Sequence, residues 1–522
     1  MGQFKIFEKK CTICGGSEDK AHIVSVFNPL TNSDLDFFRC QSCESIFPDP
    51  FEFPEYYVDE AKQNYVRFYA EVGAGLDLVV RLISVFKSGK KLTMLDVGCG
   101  FGYTVDYAKR VLGWDAFGIE PGTYGRIGAA ALDVEIDNAL LGAGSKFDNQ
   151  QFDVVFNSEV LEHVENPNDF LKLLYRSVRD GGVLVLTTPA AEYVVQENWQ
   201  EQVLDTLSPG YHTNLFSESA LNSSLHAAGF TDIKTIRWSD RIIALAGRNR
   251  ELDQFDILDR RQKDYLEYLT VLESSDIELF VRNGAAFRLF KELVNAGNYN
   301  FAEEIWKKLN SRLIKKFGAE VLSKNWINNI SKSAVDFEIY GQSAPYFLAP
   351  LLFYRGIQIL NTAQNFHEAI EKFQCAEIMS LAESKFAQAY FIESASLLWL
   401  IRYHLGLSLL LNKQREEALL AFNRIIGSYF EEAGTKRALL APFIVSRAIK
   451  DSGVCFLQMG KKADARERFL MGLARTEEKE NKGLHSELIN LLEIVDRDLS
   501  PNISTVQNGI IKKMFGKIRL RP

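Results

Sequence analysis

The stretch Leu92-Thr-Met-Leu-Asp-Val-Gly-Cys-Gly-Phe-Gly102 decides the fold. An apolar run from Leu92 to Val97 leads into three glycines at alternate positions, Gly98, Gly100 and Gly102, and a helical pattern follows to about Leu112. Strand, tight turn and helix in that order open a nucleotide-binding α/β unit. Glycine is needed where the backbone turns sharply and lets a ligand come within van der Waals reach. The next strand, Asp115 to Ile119, delivers Glu120 about 20 residues downstream, where a carboxylate can accept both hydroxyls of a ribose.

The spacing separates two kinds of cofactor. The dinucleotide fingerprint G-x-G-x-x-G turns a helix N-terminus toward a pyrophosphate. Here the order is D-x-G-x-G-x-G, with Asp96 ahead of the first glycine. Three further segments follow in sequence: Gln151-Phe-Asp-Val-Val-Phe-Asn-Ser-Glu159, Val160-Leu-Glu-His-Val-Glu-Asn-Pro167 and Gly181-Gly-Val-Leu-Val-Leu-Thr-Thr-Pro189. Over roughly residues 90 to 250, the chain resembles the class I S-adenosylmethionine-dependent methyltransferases.

The resemblance implies a loop of Asp96, Gly98, Gly100 and Gly102 that holds the methionine part of the cofactor, with Glu120 on the ribose. It places Asn157, Ser158 and Glu159 beside the methyl donor, and Asp137 or Asn138 near the adenine. On the acceptor side it points to His163, on a helix after the fourth strand, and to His212 in Tyr211-His-Thr-Asn-Leu-Phe216. A histidine that titrates near neutrality suits proton abstraction, with Glu162 and Tyr211 as lesser candidates. The Asn/Asp-Pro-Pro-aromatic tetrad of N-methyltransferases is missing, since that position reads Asn157-Ser-Glu-Val160, which argues against DNA or amide methylation.

The remaining chain must hold more than this domain, because 522 residues exceed one ordinary core. With 47% apolar and 25% charged residues the composition is that of a soluble globular protein. A net charge of −8 offers no broad basic field for phosphates, so no nucleic acid partner is expected. Met1 to Lys10 lacks the apolar core of a signal peptide, and no window approaches the roughly 18 uncharged apolar residues of a membrane span. The expected location is the cytoplasm.

Four of the seven cysteines form two knuckles, Cys11-x-x-Cys14 and Cys40-x-x-Cys43. In a cytosolic chain such a pair favours tetrahedral Zn2+ over disulfides, and four thiolates close the site, so its role is structural. The segments Ala21 to Phe27 and Leu35 to Arg39 read as strands between the knuckles. Phe47-Pro-Asp-Pro-Phe-Glu-Phe-Pro54 reads as the end of regular structure, and Tyr56 to Phe86 as a helical segment forming a wall or lid of the site. A zinc ribbon, a Pro-rich exit and a class I core together resemble a branch associated with sugar and polysaccharide modification. That resemblance implies a small polar acceptor such as a sugar nucleotide or glycan end.

Phe230 to Arg237 and Arg241 to Arg248 read as a closing hairpin turned by Ser239 and Asp240. Beyond about residue 255 the patterns are helical. Gly406 with Ala418 and Phe422 fits a tetratricopeptide pattern, Gly453 with Ala465 and Phe469 repeats it, and Gly356 with Ala369 and Phe373 is one residue out of step. Such an α-solenoid implies a protein partner. Ile510, Ile511, Met514, Phe515 and Ile518 share a helical face ringed by lysine and arginine, a basic tail suited to weak contact with an anionic membrane.

The expected architecture is an α/β, Rossmann-like seven-stranded methyltransferase sheet, preceded by a four-cysteine zinc ribbon and followed by an all-α solenoid-like domain. Its boundaries are 1–54 for the ribbon, 55–90 for the connector, 91–250 for the methyltransferase domain, 251–495 for the helical repeats and 496–522 for the tail. The alternative to an enzyme is a non-catalytic scaffold that uses the repeats and keeps a vestigial methyltransferase fold.

Overall fold

The computed structural model describes residues 10–16, 20–28, 30–49, 63–73, 75–195, 201–256, 262–333, 336–363, 365–385, 392–431, 442–476 and 482–496. The basic tail lies outside them. Contacts divide the chain into two units, Met1–Arg282 and Asn283–Pro522.

The first unit begins with an antiparallel sheet of β1 (Lys20–Asn28), β2 (Ser33–Cys40) and β3 (Ile46–Asp49). β3 runs through Pro48, in the segment that the proline density had marked as irregular. Proline is tolerated there because β3 is an edge strand, where a missing N–H breaks no ladder bond. On its far side Ile46 exchanges backbone hydrogen bonds with Leu215 at 2.9 and 2.8 Å.

The predicted connector helix is two helices, α1 (Gln63–Val72) and α2 (Leu76–Ser84). They are parted by Gly73 and Gly75, both at positive φ (62° and 74°), a backbone that ends helices. The large sheet comprises β4 (Thr93–Val97), β5 (Asp115–Ile119), β6 (Ile136–Asp137), β7 (Phe152–Ser158), β8 (Val178–Pro189), β9 (Asp232–Trp238) and β10 (Arg241–Gly247). Its order is β6-β5-β4-β7-β8-β10-β9. The first five strands in that order pair in parallel, and β10 is antiparallel to both neighbours. Ser239, at φ 56°, turns the β9–β10 hairpin. The interior strands are buried along nearly their whole length, as befits a sheet covered on both faces.

Helices α3 (Tyr103–Arg110), α4 (Thr123–Leu132), α5 (Pro167–Ser177), α6 (Glu201–Leu207) and α7 (Glu218–Ala228) complete this layered unit. It continues past residue 250. Helix α8 (Gln262–Ser274) packs on α2, and Tyr268 donates to the buried carboxylate of Asp106 at 2.9 Å and to the carbonyl of Tyr103 at 3.0 Å.

The second unit is all-helical among its described residues. Helix α9 (Leu279–Asn295) leads into it, followed by α10 (Tyr299–Phe317), α11 (Lys324–Ser333), α12 (Phe337–Ser343), α13 (Leu348–Thr362), α14 (Phe366–Glu383), α15 (Ile392–Leu411), α16 (Arg415–Glu431), α17 (Pro442–Gln458), α18 (Lys462–Leu473) and α19 (Lys482–Asp496). From α13 onward each helix packs on the next. Three glycines face three phenylalanines in successive pairs. A Cβ at Gly356, Gly406 or Gly453 would lie 2.7, 2.6 or 2.4 Å from Cε1 of Phe373, Phe422 or Phe469. Ala369, Ala418 and Ala465 are fully buried beside them. None of the described helices is long and apolar enough to cross a membrane.

Candidate active site

A cleft of about 900 Å³ opens where β4, β5 and β7 end. Strand order reverses between β4 and β7, and the carboxyl ends of an open sheet at such a switch point are where ligands bind. Asp96, Gly98, Gly100, Glu120, Ser158 and Glu159 all line it. Gly98 (φ 78°) must be glycine, because a Cβ there would meet Val160 Cγ2 at 2.4 Å. At Gly100 (φ 53°) the space above the backbone is open, with only Tyr69 Oη at 3.9 Å. Gly102 stands behind the cleft as the left-handed start of α3, its carbonyl accepting from Asp106 N–H at 3.0 Å.

Glu120 is fixed by backbone donors. Gly100 N–H donates to Oε2 at 3.1 Å and Gly122 N–H to Oε1 at 2.8 Å. Burial raises its pKa against those two bonds. Asp96 is fully buried; desolvation, opposed by a Thr104 hydrogen bond and helped by the Glu120 charge, pushes it up to about 8. The adenine candidates are spent on the adjoining loop. Asn138 donates to the carbonyls of Glu120 and Gly122 at 2.7 and 3.2 Å, and Asp137 accepts from Ser145 Oγ and Lys146 N–H. The cleft wall beside them is apolar, built from Ala139, Leu140, Leu141 and Ala143. Tyr69 of α1 and Leu76 and Val79 of α2 form the opposite wall.

On the side away from the glycines, Asn157 is buried within β7 and donates to the Val97 carbonyl at 2.8 Å, tying β7 to β4. Ser158 and Thr187 share a hydroxyl hydrogen bond of 2.7 Å, and Thr187 donates to Glu159 Oε1 at 2.8 Å. Burial raises Glu159, opposed by Arg241. Arg241 lines the cleft and was not legible as a site residue. The antiparallel register that sets it opposite Pro189, at the carboxyl end of β8, was the available signal.

Leu161–His163 forms a single 3-10 turn rather than the expected helix. The helix waits for Pro167, whose fixed φ and missing N–H suit a first helical position. Glu162 is fully buried. Its Oε2 accepts from Thr188 Oγ1 at 3.0 Å, its Oε1 has no hydrogen-bond partner, and burial followed by the Glu159 charge raises its pKa strongly. His163 lines the cleft and His212 lies behind it, ring centroids 4.8 Å apart. His163 Nδ1 donates to the Tyr211 carbonyl at 3.1 Å, and His212 Nδ1 to the Thr206 carbonyl at 2.7 Å. Burial lowers the pKa of His163; burial and then the neighbouring His163 bring His212 down to about 3.

The sulfurs of Cys11, Cys14, Cys40 and Cys43 lie within 4.8 Å of one another, Cys11 from Cys43 at 3.7 Å and Cys14 from Cys40 at 3.6 Å. A tetrahedral zinc about 2.3 Å from each thiolate spaces them by about 3.8 Å, so the donor set fits that ion. Gly15 N–H donates to the Cys11 carbonyl and Glu44 N–H to the Cys40 carbonyl, both at 2.8 Å, closing two equivalent knuckles. The knuckles bear on the segment after His212. Ser217 Oγ donates to the Cys43 carbonyl at 2.5 Å, Ser217 N–H to Ser45 Oγ at 3.1 Å, and Thr12 hydrogen-bonds Asn214.

Residues 67–235 match the family model described as a methyltransferase domain. A probable S-adenosylmethionine-dependent methyltransferase of Mycolicibacterium smegmatis is 30% identical over 148 residues, 26% of this chain and 51% of that protein. A ubiquinone biosynthesis O-methyltransferase of Roseobacter denitrificans is 33% identical over 131 residues, 24% of this chain and 52% of that protein. The chain thus spans about half the length of these relatives. A solved O-methyltransferase family protein of Burkholderia thailandensis aligns with a TM-score of 0.32 at 16% identity, over 38% of this chain and 62% of that one. The segment from 67 to 235 thus matches a methyltransferase domain and is similar to proteins named as S-adenosylmethionine-dependent methyltransferases.

Proposed function

We propose that the protein is an active S-adenosylmethionine-dependent methyltransferase whose acceptor is a small polar molecule, such as a sugar nucleotide or glycan end. The observation that carries this reading is the carboxylate of Glu120, held by Gly100 and Gly122 N–H on the floor of a cleft that stays open above Gly100. An idle fold has no need of a buried acid trained on an empty glycine loop. Asp96, Gly98, Gly100 and Gly102 hold the methionine end, Glu120 takes the ribose, and Ser158 and Glu159 border the methyl, with Asn157 fixing their strand from behind. His163 and His212 act on the acceptor. Displacement at the methyl carbon is in line, so holding donor and acceptor in register supplies much of the rate.

The same reading gives the four cysteines a structural Zn2+ and the helical unit a tetratricopeptide-type role in docking a protein partner. It keeps the expected domains 1–54, 55–90, 91–250, 251–495 and 496–522, except that the methyltransferase unit extends past residue 250 to take in α8, and a cytoplasmic setting, with the tail as a weak membrane contact. Calorimetric titration of S-adenosylmethionine and S-adenosylhomocysteine tests it. Micromolar binding that Gly100→Arg abolishes is the expected result. Absence of binding by folded wild-type protein favours the scaffold reading.

A further inference from the structure

Arg241 opens β10 at a point where the backbone is held from both sides. It stands opposite Pro189 of β8 and Trp238 of β9. Ala190 N–H donates to the Asp240 carbonyl at 2.8 Å, tying the hairpin turn to the end of β8. The Arg241 side chain lines the cleft and is 27% exposed. Its ion-pair partner among the described residues is Asp240, with Nε and Nη2 each 3.4 Å from a carboxylate oxygen. Charge-assisted hydrogen bonds run at about 2.7–2.9 Å, so this pair is loose, and the Asp240 side chain is itself 41% exposed. Nη1 has no hydrogen-bond partner among the described residues. A guanidinium drawn most of the way out of water thus keeps donors unspent on the cleft side.

We propose that Arg241 receives an oxyanion of the acceptor, a carboxylate or phosphate carried close to the atom that takes the methyl. The planar fork of N–H groups matches two oxygens of such an anion at once. A half-buried cation gains most from a partner of opposite charge, since water has already been stripped from it. Its neighbours leave room for one. Thr187 occupies Oε1 of Glu159 at 2.8 Å, and no oxygen of Glu159 pairs with the guanidinium. Burial also drives Glu159 and Glu162 toward the neutral acid, so Asp240 is the charge that an incoming anion must displace. Ser158 and Glu159 border the cleft beside Arg241, which sets the anion a short reach from the methyl position of the proposed reading.

This inference rests on the methyltransferase reading and narrows its acceptor to an acidic one, such as a uronic acid or a sugar phosphate. A neutral sugar of the same shape leaves Nη1 unpaired. A hydrogen bond to a charged group separates the two by about tenfold to a hundredfold in affinity.

Glucuronate and glucose 1-phosphate are the probes, with glucose as the neutral control. Each is titrated into full-length protein in excess S-adenosylhomocysteine and followed by saturation-transfer NMR of the sugar signals. At least one anion should bind about tenfold or more tighter than glucose, and which of the two prevails separates carboxylate from phosphate. Arg241→Gln should erase that preference. Asp240→Asn, which removes the competing carboxylate, should tighten the anion by about two- to fivefold. S-adenosylhomocysteine affinity on the same samples reports that each variant is folded. No preference of wild type for either anion, or the same preference in folded Arg241→Gln, overturns the proposal. An Arg241-dependent preference without S-adenosylhomocysteine binding keeps the anion site and removes the methyltransferase reading instead.

Discussion

On the proposed reading, Asp96 sits where a cationic ligand and a buried acid must settle a proton between them. Its folded pKa of about 8 lies far above that of an exposed carboxylate, so as pH rises through that range the unliganded fold must carry a buried charge and loses stability. A cofactor bringing an ammonium and a sulfonium favours the ionised form. Donor binding near pH 7 should therefore release a proton, and affinity should rise between about pH 6 and 8. Calorimetry in buffers of different ionisation enthalpy measures the release, and Asp96→Asn should abolish both effects. At Gly98 the left-handed φ and the Val160 contact act together, so Gly98→Ala should cost about 1–3 kcal/mol in urea unfolding and weaken donor binding. His212→Ala should lower turnover while leaving S-adenosylhomocysteine affinity within about threefold; unchanged turnover removes it from the mechanism. These positions differ in how legible they were. The glycines and Glu120 were readable because turn geometry and strand spacing are local. The cleft-lining Arg241 and Leu140 were not, because their places depend on how distant strands pair.

Among the elements, patterns that depend on neighbours in sequence survive best. The β9–β10 hairpin follows from Ser239-Asp240 between two apolar runs, and the glycine–phenylalanine pairs of the helical unit lie where their spacing put them. Two local rules misled for physical reasons. Pro48 was read as a breaker although an edge strand accepts it, and the helix after β7 was started early although Pro167 marks its first turn. The pairing of α15 with α16 also carries a prediction. Gly406 is fitted against Phe422, with a would-be Cβ at 2.6 Å. Gly406→Val overpacks that contact at a cost of about 1–3 kcal/mol. Hydrogen exchange should then quicken in 392–431 of the full chain, whereas an exposed control such as Lys413→Ala should leave those amides as protected as before.

Within the first unit, the ribbon that bears the knuckles packs on and hydrogen-bonds the segment around His212. Leu35, Phe37 and Ile46 share a buried cluster with Ala191, Val194, Val203, Leu207 and Leu215, and Ser217 hydrogen-bonds the Cys43 carbonyl. On the proposed zinc reading, a strong chelator or Cys40→Ser should quicken hydrogen exchange at 211–217 and depress turnover, with donor affinity nearly unchanged. Unaltered exchange there would separate the ribbon from the site. The pairing of Ile46 with Leu215 also orders events on the ribosome. At roughly 5–20 residues per second, the ribbon emerges on the order of ten to thirty seconds before its partner segment exists. Through that interval Phe37 and Ile46 lack the Val203, Leu207 and Leu215 side of their cluster, and on the proposed zinc reading an ion held by four sulfurs keeps the nascent hairpin in shape and its thiolates from oxidation until the chain returns to claim it.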